Sequence, residues 1–193
     1  MKMTLKRLFA AGVVASVFSV PVAAETITYN VDPSHTFANF SYNHMGLSQQ
    51  VSRFNNTSGT IALDLEGKTG EVNIEIDTTS VNTGFPAFNE HIQGEDFLDT
   101  AQFPTATFKS TNIVFEGDTP TAVEGDLTIK GVTKPVTLDI TYFAAKPHPM
   151  LQKPALGANA QVEIKRSDFN ADKFVPNVGD EVTLNISLEA VSQ

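Results

Sequence analysis

Four histidines are the side chains of this sequence best suited by type to move a proton or to bind a metal ion. His44 ends an alternating run that contains Phe40 and Tyr42. It shares their parity, so we expect it at the inner rim of a strand. His35 lies an odd number of positions earlier and falls on the opposite face, which argues against a His35–His44 metal pair because metal ligands must converge on one point. Two roles stay open for His44: a hydrogen-bonded rim residue, or a contact for the head group of a ligand.

The remaining basic candidates are His91 and Arg166. His91 falls in a predicted helix, where it either fixes that helix to a sheet or contacts a ligand. Arg166 is the one basic residue that strand parity places on an inward face. Its planar fork of donors suits a phosphate or a carboxylate. The competing interpretation is a structural ion pair with Asp99 or Asp168 that closes one end of the sheet.

Several kinds of chemistry are excluded or disfavoured by what the sequence lacks. With no cysteine, it offers no disulfide, no thiolate zinc ligand and no thiol nucleophile. The acidic residues Glu95, Asp96 and Asp99 match no calcium-loop motif, so we expect them to be solvated. An excess of 22 acidic over 13 basic residues argues against nucleic acid as a partner. We therefore expect no metal and no cofactor, and a small-molecule enzyme using His44 and His91 with a divalent metal stays as an alternative function.

The first 24 residues have the layout of a secretory signal peptide. Lys2, Lys6 and Arg7 give a positive start, residues 8–20 form an uncharged apolar run, and small residues precede Glu25. The apolar run is too short to span a bilayer. We therefore predict cleavage before Glu25, a single domain over residues 25–193 and a location in a bacterial periplasm, with secretion to the medium as the second choice.

Alternation of apolar and polar residues dominates the chain after Glu25 and predicts half-buried strands. It also predicts that Val136, Leu138, Ile140 and Tyr142 share one inward face. One stretch, 86–99, has helical spacing after a proline and predicts a short helix, while prolines and turn residues predict loops at 146–154 and 170–179. The strongest strand patterns cover 71–77, 136–142 and 181–189, and weaker ones cover 26–32, 36–44, 51–55, 60–65, 105–115, 123–130 and 158–166.

About eight antiparallel strands and one helix leave two architectures, a two-sheet sandwich and a closed barrel. The predicted inward faces contain small residues such as Ala38, Ala158 and Ala160. A sandwich core fills with larger side chains, whereas an eight-stranded barrel can hold one small ligand. The small residues favour the barrel.

Several ordered blocks of residues extend along almost the whole mature chain. They include Asp32-Pro33-Ser34-His35-Thr36, Ser80-Val81-Asn82-Thr83, Arg166-Ser167-Asp168-Phe169 and, most distinctive, Gly125-Asp126-Leu127-Thr128-Ile129-Lys130-Gly131. Together these blocks resemble the YceI-like family of secreted bacterial proteins over residues 26–191.

The resemblance implies an all-β fold, an extended lipocalin-like antiparallel β-barrel with a short helix capping one end. It also implies a long amphiphilic isoprenoid ligand, such as a polyprenyl phosphate or a quinone, carried in an apolar cavity. A binder of a fatty acid or amide in a stress response is the second hypothesis. A carrier of this kind would make transient contact with a membrane or a membrane protein, and its oligomeric state is left open. The predicted ligand contacts are Ala38, Phe40, Tyr42, His44, His91, Phe97, Phe108, Ser110, Leu127, Ile129, Leu138, Ala160, Val162 and Arg166.

The sequence departs from the family pattern at two places. Phe88-Asn89 stands where the family often has Arg-Asp, and Asn170 stands where it often has glycine. A charge-paired role is therefore not carried over to residues 88 and 89. Phe97 and Leu98 are expected to plug the mouth of the barrel, and Phe85 and Phe88 to form a lid beside Gly84.

Overall fold

The computed structural model describes residues 25–193, so the predicted signal peptide lies outside the described residues. One short α-helix, two 3-10 helices (Thr78–Ser80 and Arg166–Phe169) and eleven strands, all paired antiparallel, are the regular elements of this part of the chain. No helix in it is long and apolar enough to cross a membrane. The elements are β1 (Ile27–Val31), β2 (Phe37–His44), β3 (Ser48–Phe54), β4 (Thr57–Asp64), β5 (Thr69–Asp77), β6 (Val81–Asn82), α1 (Pro86–Ile92), β7 (Thr105–Glu116), β8 (Thr119–Ile129), β9 (Val132–Pro147), β10 (Pro154–Lys165) and β11 (Val178–Ser192).

The sheet closes on itself because β1 pairs with β4 on one side and with β11 on the other. The ring order is β1-β4-β5-β7-β8-β9-β10-β11, which makes a closed barrel of eight antiparallel strands. Strands β2, β3 and β6 continue the wall beyond β11. The predicted lipocalin-like barrel with one short helix is confirmed, and the two-sheet sandwich is wrong because no free edge separates two sheets.

Strand β11 is long enough to serve two partners. Near its end Ala190 pairs with Val31 of β1, and further back Leu184 pairs with Phe40 of β2. Between β1 and β2 the chain turns through Asp32-Pro33-Ser34-His35, where proline has no N–H for the ladder. β1 and β2 therefore lie along the same side of β11, with a break between them opposite residues 188 and 189.

The two ends of the barrel differ. At the end that we call the helix end, the Met45 N–H donates to the Asn177 carbonyl at 2.9 Å, and Lys130 Nζ donates to the carbonyls of Glu95 at 2.9 Å and Asn170 at 2.7 Å. At the opposite end, the far end, Lys68 and Asp118 join two turns at 3.3 Å. The helix end thus gathers α1, the β2–β3 turn, the β8–β9 turn and the 166–177 segment around one opening.

The bounds of one predicted helix and one predicted loop need correction. The predicted helix over 86–99 ends at Ile92, because Gln93 and Gly94 terminate it and the following residues form turns. The predicted loop at 146–154 is reduced to 148–153, because β9 extends to Pro147 and β10 starts at Pro154.

Tyr142 is not inside the barrel, although alternation predicted it there. Ala160 pairs with Ile140 while Asn159 pairs with Tyr142, so Thr141 is an extra residue in β9. Such a bulge reverses the faces of the residues beyond it. Tyr142 is accordingly 57% exposed, and Phe143 packs against the core instead.

Candidate ligand-binding cavity

A cavity of about 390 Å³ occupies the interior of the barrel and extends to the helix end. Its volume lies within the usual range for sites that bind small molecules. Apolar side chains form nearly all of its wall. Most of the predicted contacts line it: Ala38, Phe40, Tyr42, His44, His91, Phe97, Phe108, Leu127, Ile129, Leu138, Ala160 and Arg166.

Two predicted contacts, Ser110 and Val162, do not line the cavity. The β5–β7 pairing ends at Asn73–Lys109, and the Ser110 hydroxyl accepts the Val72 N–H at 2.7 Å beyond that point. Ser110 therefore completes the sheet. Val162 is half-buried on the same face as Ala160, but parity decides only the face of a strand and not which side chains reach the free space.

Other cavity residues were missed in the site prediction, for two different reasons. Val72, Ile74 and Ile76 of β5 line the cavity, and their alternation was visible in the sequence. Phe174 and Ala171 also line it, but they lie in an irregular segment without periodicity. No local pattern could have identified that second group.

A row of rings forms one side of the mouth. Phe88 stacks on His91 with ring centroids 5.9 Å apart, His91 lies 5.0 Å from Phe97, and Phe97 lies 6.2 Å from Phe174. Helix α1 presents the first two rings, and it begins at Pro86, a residue whose fixed φ suits the first helical position. Phe97 thus takes its predicted place at the mouth, with Leu98 beside it in the cavity wall.

The predicted lid is only half present, because Phe88 lines the cavity whereas Phe85 is 65% exposed and does not. Asn89, where the family often has aspartate, has a structural role. Its Oδ1 accepts hydrogen bonds from the Thr83 N–H at 2.8 Å and the Thr83 hydroxyl at 2.7 Å. Asn170, where glycine is common, has φ +56°, a left-handed conformation that asparagine tolerates better than most residues.

Arg166 is the cation in the cavity wall, and its neighbours differ from the prediction. Nε donates to the Gly179 carbonyl at 2.8 Å, Nη2 to the Val178 carbonyl at 2.9 Å, and Nη1 to the Ala171 carbonyl. The described residues include no ion pair between Arg166 and Asp99 or Asp168, so the predicted structural pair is wrong.

The guanidinium instead closes the 171–179 segment over the end of β10, which places a positive charge at the mouth. Burial lowers its pKa, and the nearby carboxylates of Asp180 and Asp172 oppose that shift. A guanidinium has five N–H donors. Two of them keep no protein acceptor within residues 25–193.

One buried hydroxyl in the cavity wall has no hydrogen-bond partner. Thr57 is 4% exposed, and its Oγ1 is unpaired among the described residues. The other two threonines of the wall are satisfied: Thr36 Oγ1 donates to the Glu189 carbonyl at 3.2 Å, and Thr78 Oγ1 donates to the Phe103 carbonyl at 2.8 Å. Thr57 pairs with Ile76 near the end of β5, so this free hydroxyl lies in the wall toward the helix end.

The histidines do not assemble a metal centre in the cavity. Within residues 25–193, the group of potential metal ligands that comes together is Asp32, His35 and Glu189, away from the cavity. Asp32 Oδ2 lies 2.8 Å from His35 Nδ1. Hydrogen bonds from Ser34 and His35 lower the pKa of Asp32 to about 2, and Asp32 in turn raises the pKa of His35. His44 and His91 both line the cavity but belong to no such group.

The barrel and the ordered sequence blocks are shared with known proteins. The model of the YceI-like domain matches residues 29–190. This chain belongs to the YceI-like family. Protein YceI from Escherichia coli O17:K52:H18 is 38% identical over 174 residues, which covers 89% of this chain and 90% of that one.

Solved structures show the same barrel. BcnA from Burkholderia cenocepacia superimposes with a TM-score of 0.71 at 26% identity, covering 82% of this chain and 98% of the other. A polyisoprenoid binding domain from Saccharophagus degradans superimposes with a TM-score of 0.64 at 19% identity, covering 86% and 99%. The second likeness concerns the fold alone. The resemblance that the ordered blocks suggested is confirmed.

Proposed function

We propose that this YceI-like protein binds and carries a long-chain isoprenoid or a similar amphiphilic lipid, without a reaction of its own. The observation that carries the proposal is the cavity of about 390 Å³ with an almost entirely apolar wall. Each methylene that such a wall removes from water contributes about 0.8 kcal/mol. A prenyl tail would therefore bind through its length, with few polar contacts.

The polar groups of the cavity suggest how the ligand is oriented. The Arg166 guanidinium lies at the mouth, with His44 and His91 also in the wall at the helix end. A phosphate, carboxylate or quinone oxygen at the head of the ligand would accept from the free N–H groups of Arg166. The tail would then extend toward Phe108 and Leu127, which belong to the large core cluster. A head group at the mouth and a tail inside is the arrangement that this polarity favours.

A carrier function agrees with the lack of catalytic groupings better than an enzyme does. His44 and His91 have no nearby carboxylate that would complete a metal site within the described residues. The Saccharophagus domain adds only that the same fold occurs in a protein described as binding polyisoprenoids. The alternative ligand, a fatty acid or amide, would bind in the same cavity, and identifying the bound molecule distinguishes it from an isoprenoid.

We also propose that the mature chain begins at Glu25 and acts in the periplasm. The support is the order of charged, apolar and small residues in positions 1–24. N-terminal sequencing of exported protein should find Glu25 first. Met1 retained on exported protein would contradict cleavage.

The decisive experiment is native mass spectrometry of protein purified from its own host, followed by extraction of the bound molecule. We expect one isoprenoid per chain, which is retained after treatment with a chelator. A fatty acid or amide in its place would select the second hypothesis. A stoichiometric metal ion together with turnover that the chelator abolishes would favour the enzyme.

A further inference from the structure

Large apolar side chains are exposed on three separate segments at the helix end. Leu47 is 82% exposed and Met45 56% in the β2–β3 turn, Phe85 is 65% exposed before α1, and Phe174 is 51% and Val175 36% exposed in the 166–177 segment. We call these five residues the apolar rim. Soluble monomers seldom expose a contiguous apolar patch without a function for it.

The apolar rim is continuous with the cavity. Met45 and Phe174 belong to both, since they line the cavity and are exposed to solvent. The Met45 N–H donates to the Asn177 carbonyl at 2.9 Å, which joins two of the three segments. Phe174 lies 6.2 Å from Phe97, which in turn packs against His91 of α1. A lipid that enters the cavity at this end must pass over the apolar rim.

The backbone conformation at Met45 and Phe174 keeps both side chains of the apolar rim exposed to solvent. Phe174 has φ +67° and Met45 has φ +55°, both in the left-handed region that bulky residues rarely adopt. The Asn43 side chain accepts the Gly46 N–H at 2.7 Å and fixes the β2–β3 turn. Strained conformations of this kind cluster at functional sites. They keep apolar side chains on projecting turns, a shape suited to insertion between lipids.

The charges around the apolar rim indicate which lipids it meets. Glu90, Glu95 and Asp172 are exposed nearby, and Lys173 is paired with Asp96 at 3.3 Å. Within the three segments of the apolar rim, Lys173 is the one lysine and is held by this ion pair, and Arg166 donates to backbone carbonyls. These segments therefore offer anionic head groups little free positive charge. The surface therefore matches a zwitterionic bilayer, held by apolar contact.

We propose that the apolar rim inserts into a zwitterionic phospholipid surface, so that the mouth of the cavity opens directly onto the lipid phase. The inference rests on the proposed lipid-carrier function and names the surface through which the cargo enters and leaves. A second copy of the chain would cover the same side chains, but it would also seal the cavity mouth between two proteins. A bilayer instead replaces water at the rim with the acyl chains from which the cargo comes.

The chain has no tryptophan, so a single introduced tryptophan reports insertion. Leu47→Trp places the probe in the apolar rim, and Met150→Trp places a matched control in the β9–β10 turn at the far end, where Met150 is 83% exposed. On vesicles of phosphatidylcholine and phosphatidylethanolamine, the Leu47→Trp emission should shift to the blue and be quenched by brominated acyl chains. The emission of Met150→Trp should stay unchanged.

Replacing apolar side chains of the apolar rim should weaken binding to the vesicles. Leu47→Gln and Phe85→Gln should each lower the vesicle partition coefficient by about tenfold, the effect expected when a large apolar side chain leaves the lipid phase. Met150→Gln should leave it unchanged. Replacing part of the zwitterionic lipid by phosphatidylglycerol should weaken binding, and stronger binding to those vesicles would overturn the proposed lipid preference.

Two results would overturn the proposal. One is a tryptophan signal that does not differ between Leu47→Trp and Met150→Trp on vesicles. The other is a blue shift of Leu47→Trp that grows with protein concentration in plain buffer, since the rim would then be covered by a second copy. A dansylated farnesyl probe measured in buffer tests the cavity separately. Probe binding without vesicle binding would refute the docking surface while the carrier function stands, whereas vesicle binding without probe binding would refute the carrier function.

Discussion

Replacing Ala160 by phenylalanine should block the cavity while the barrel still folds. Ala160 lines the cavity from β10, between Ile140 of β9 and Ile186 of β11. An apolar cavity of about 150 Å³ is enough to hold benzene. A phenyl ring at residue 160 would therefore occupy about a third of the cavity volume of 390 Å³.

The expected loss of affinity follows from the carbons that the ring displaces. Displacement of a single five-carbon prenyl unit removes about 4 kcal/mol, at about 0.8 kcal/mol per carbon. At 1.4 kcal/mol per factor of ten, the dissociation constant should rise about a thousandfold. The free energy of unfolding of the ligand-free protein should stay nearly unchanged, because the ring enters space that no side chain fills. In a filled core the same change would cost about 1–3 kcal/mol through overpacking.

The assay combines a fluorescent isoprenoid titration with urea denaturation of delipidated protein. Gln161→Phe is the matched control, because it adds the same ring to the outer face of the same strand, where residue 161 is exposed. Gln161→Phe should change neither the probe affinity nor the urea midpoint by much. A strongly lowered urea midpoint for Ala160→Phe, or an unaltered probe affinity, would refute the assignment of Ala160 to a ligand cavity.

The remaining predictions concern single polar groups. Thr57→Val removes the unpaired buried hydroxyl and should raise the free energy of unfolding of the delipidated protein by about 1 kcal/mol; a lower urea midpoint would contradict it. Arg166→Met should lower the free energy of unfolding by about 1.5–3 kcal/mol, because three carbonyls lose their donor. Arg166→Lys should restore part of that loss. Equal urea midpoints for wild type and Arg166→Met would contradict a structural role for these hydrogen bonds. Asp32, with its pKa lowered from 3.8 to about 2, stabilises the folded protein above pH 3.8, and this contribution is lost as the pH falls toward 2. Asp32→Asn should therefore flatten the dependence of the urea midpoint on pH between about 4 and 2, and identical slopes would exclude the effect. His35 has the opposite sign: its raised pKa adds stability below pH 6.5 that is lost as the pH rises through the folded value.

Much of the barrel could be predicted because alternation is a local property. The side chains of Val72, Ile74 and Ile76 alternate in the sequence and line the cavity from β5. Parity alone places Ala38 and Ala160 inside, and both line the cavity. The limit of parity appears at Tyr142, where one extra residue in β9 reverses the faces. A bulge depends on the partner strand, and no pattern within β9 predicts it.

The sequence by itself determined most of the strands and of their inward faces, the helix start at Pro86 and the family, because each depends on neighbouring residues or on ordered blocks. Only the tertiary structure decided the closure of β1 on β11, the carbonyl partners of Arg166 and the unpaired hydroxyl of Thr57. It alone also brought Met45, Phe85 and Phe174 to one end of the cavity. These features join residues that are far apart in the chain. The energies of these contacts depend on which segments of the chain are adjacent in the fold, and the spacing of residues within one segment does not predict that adjacency.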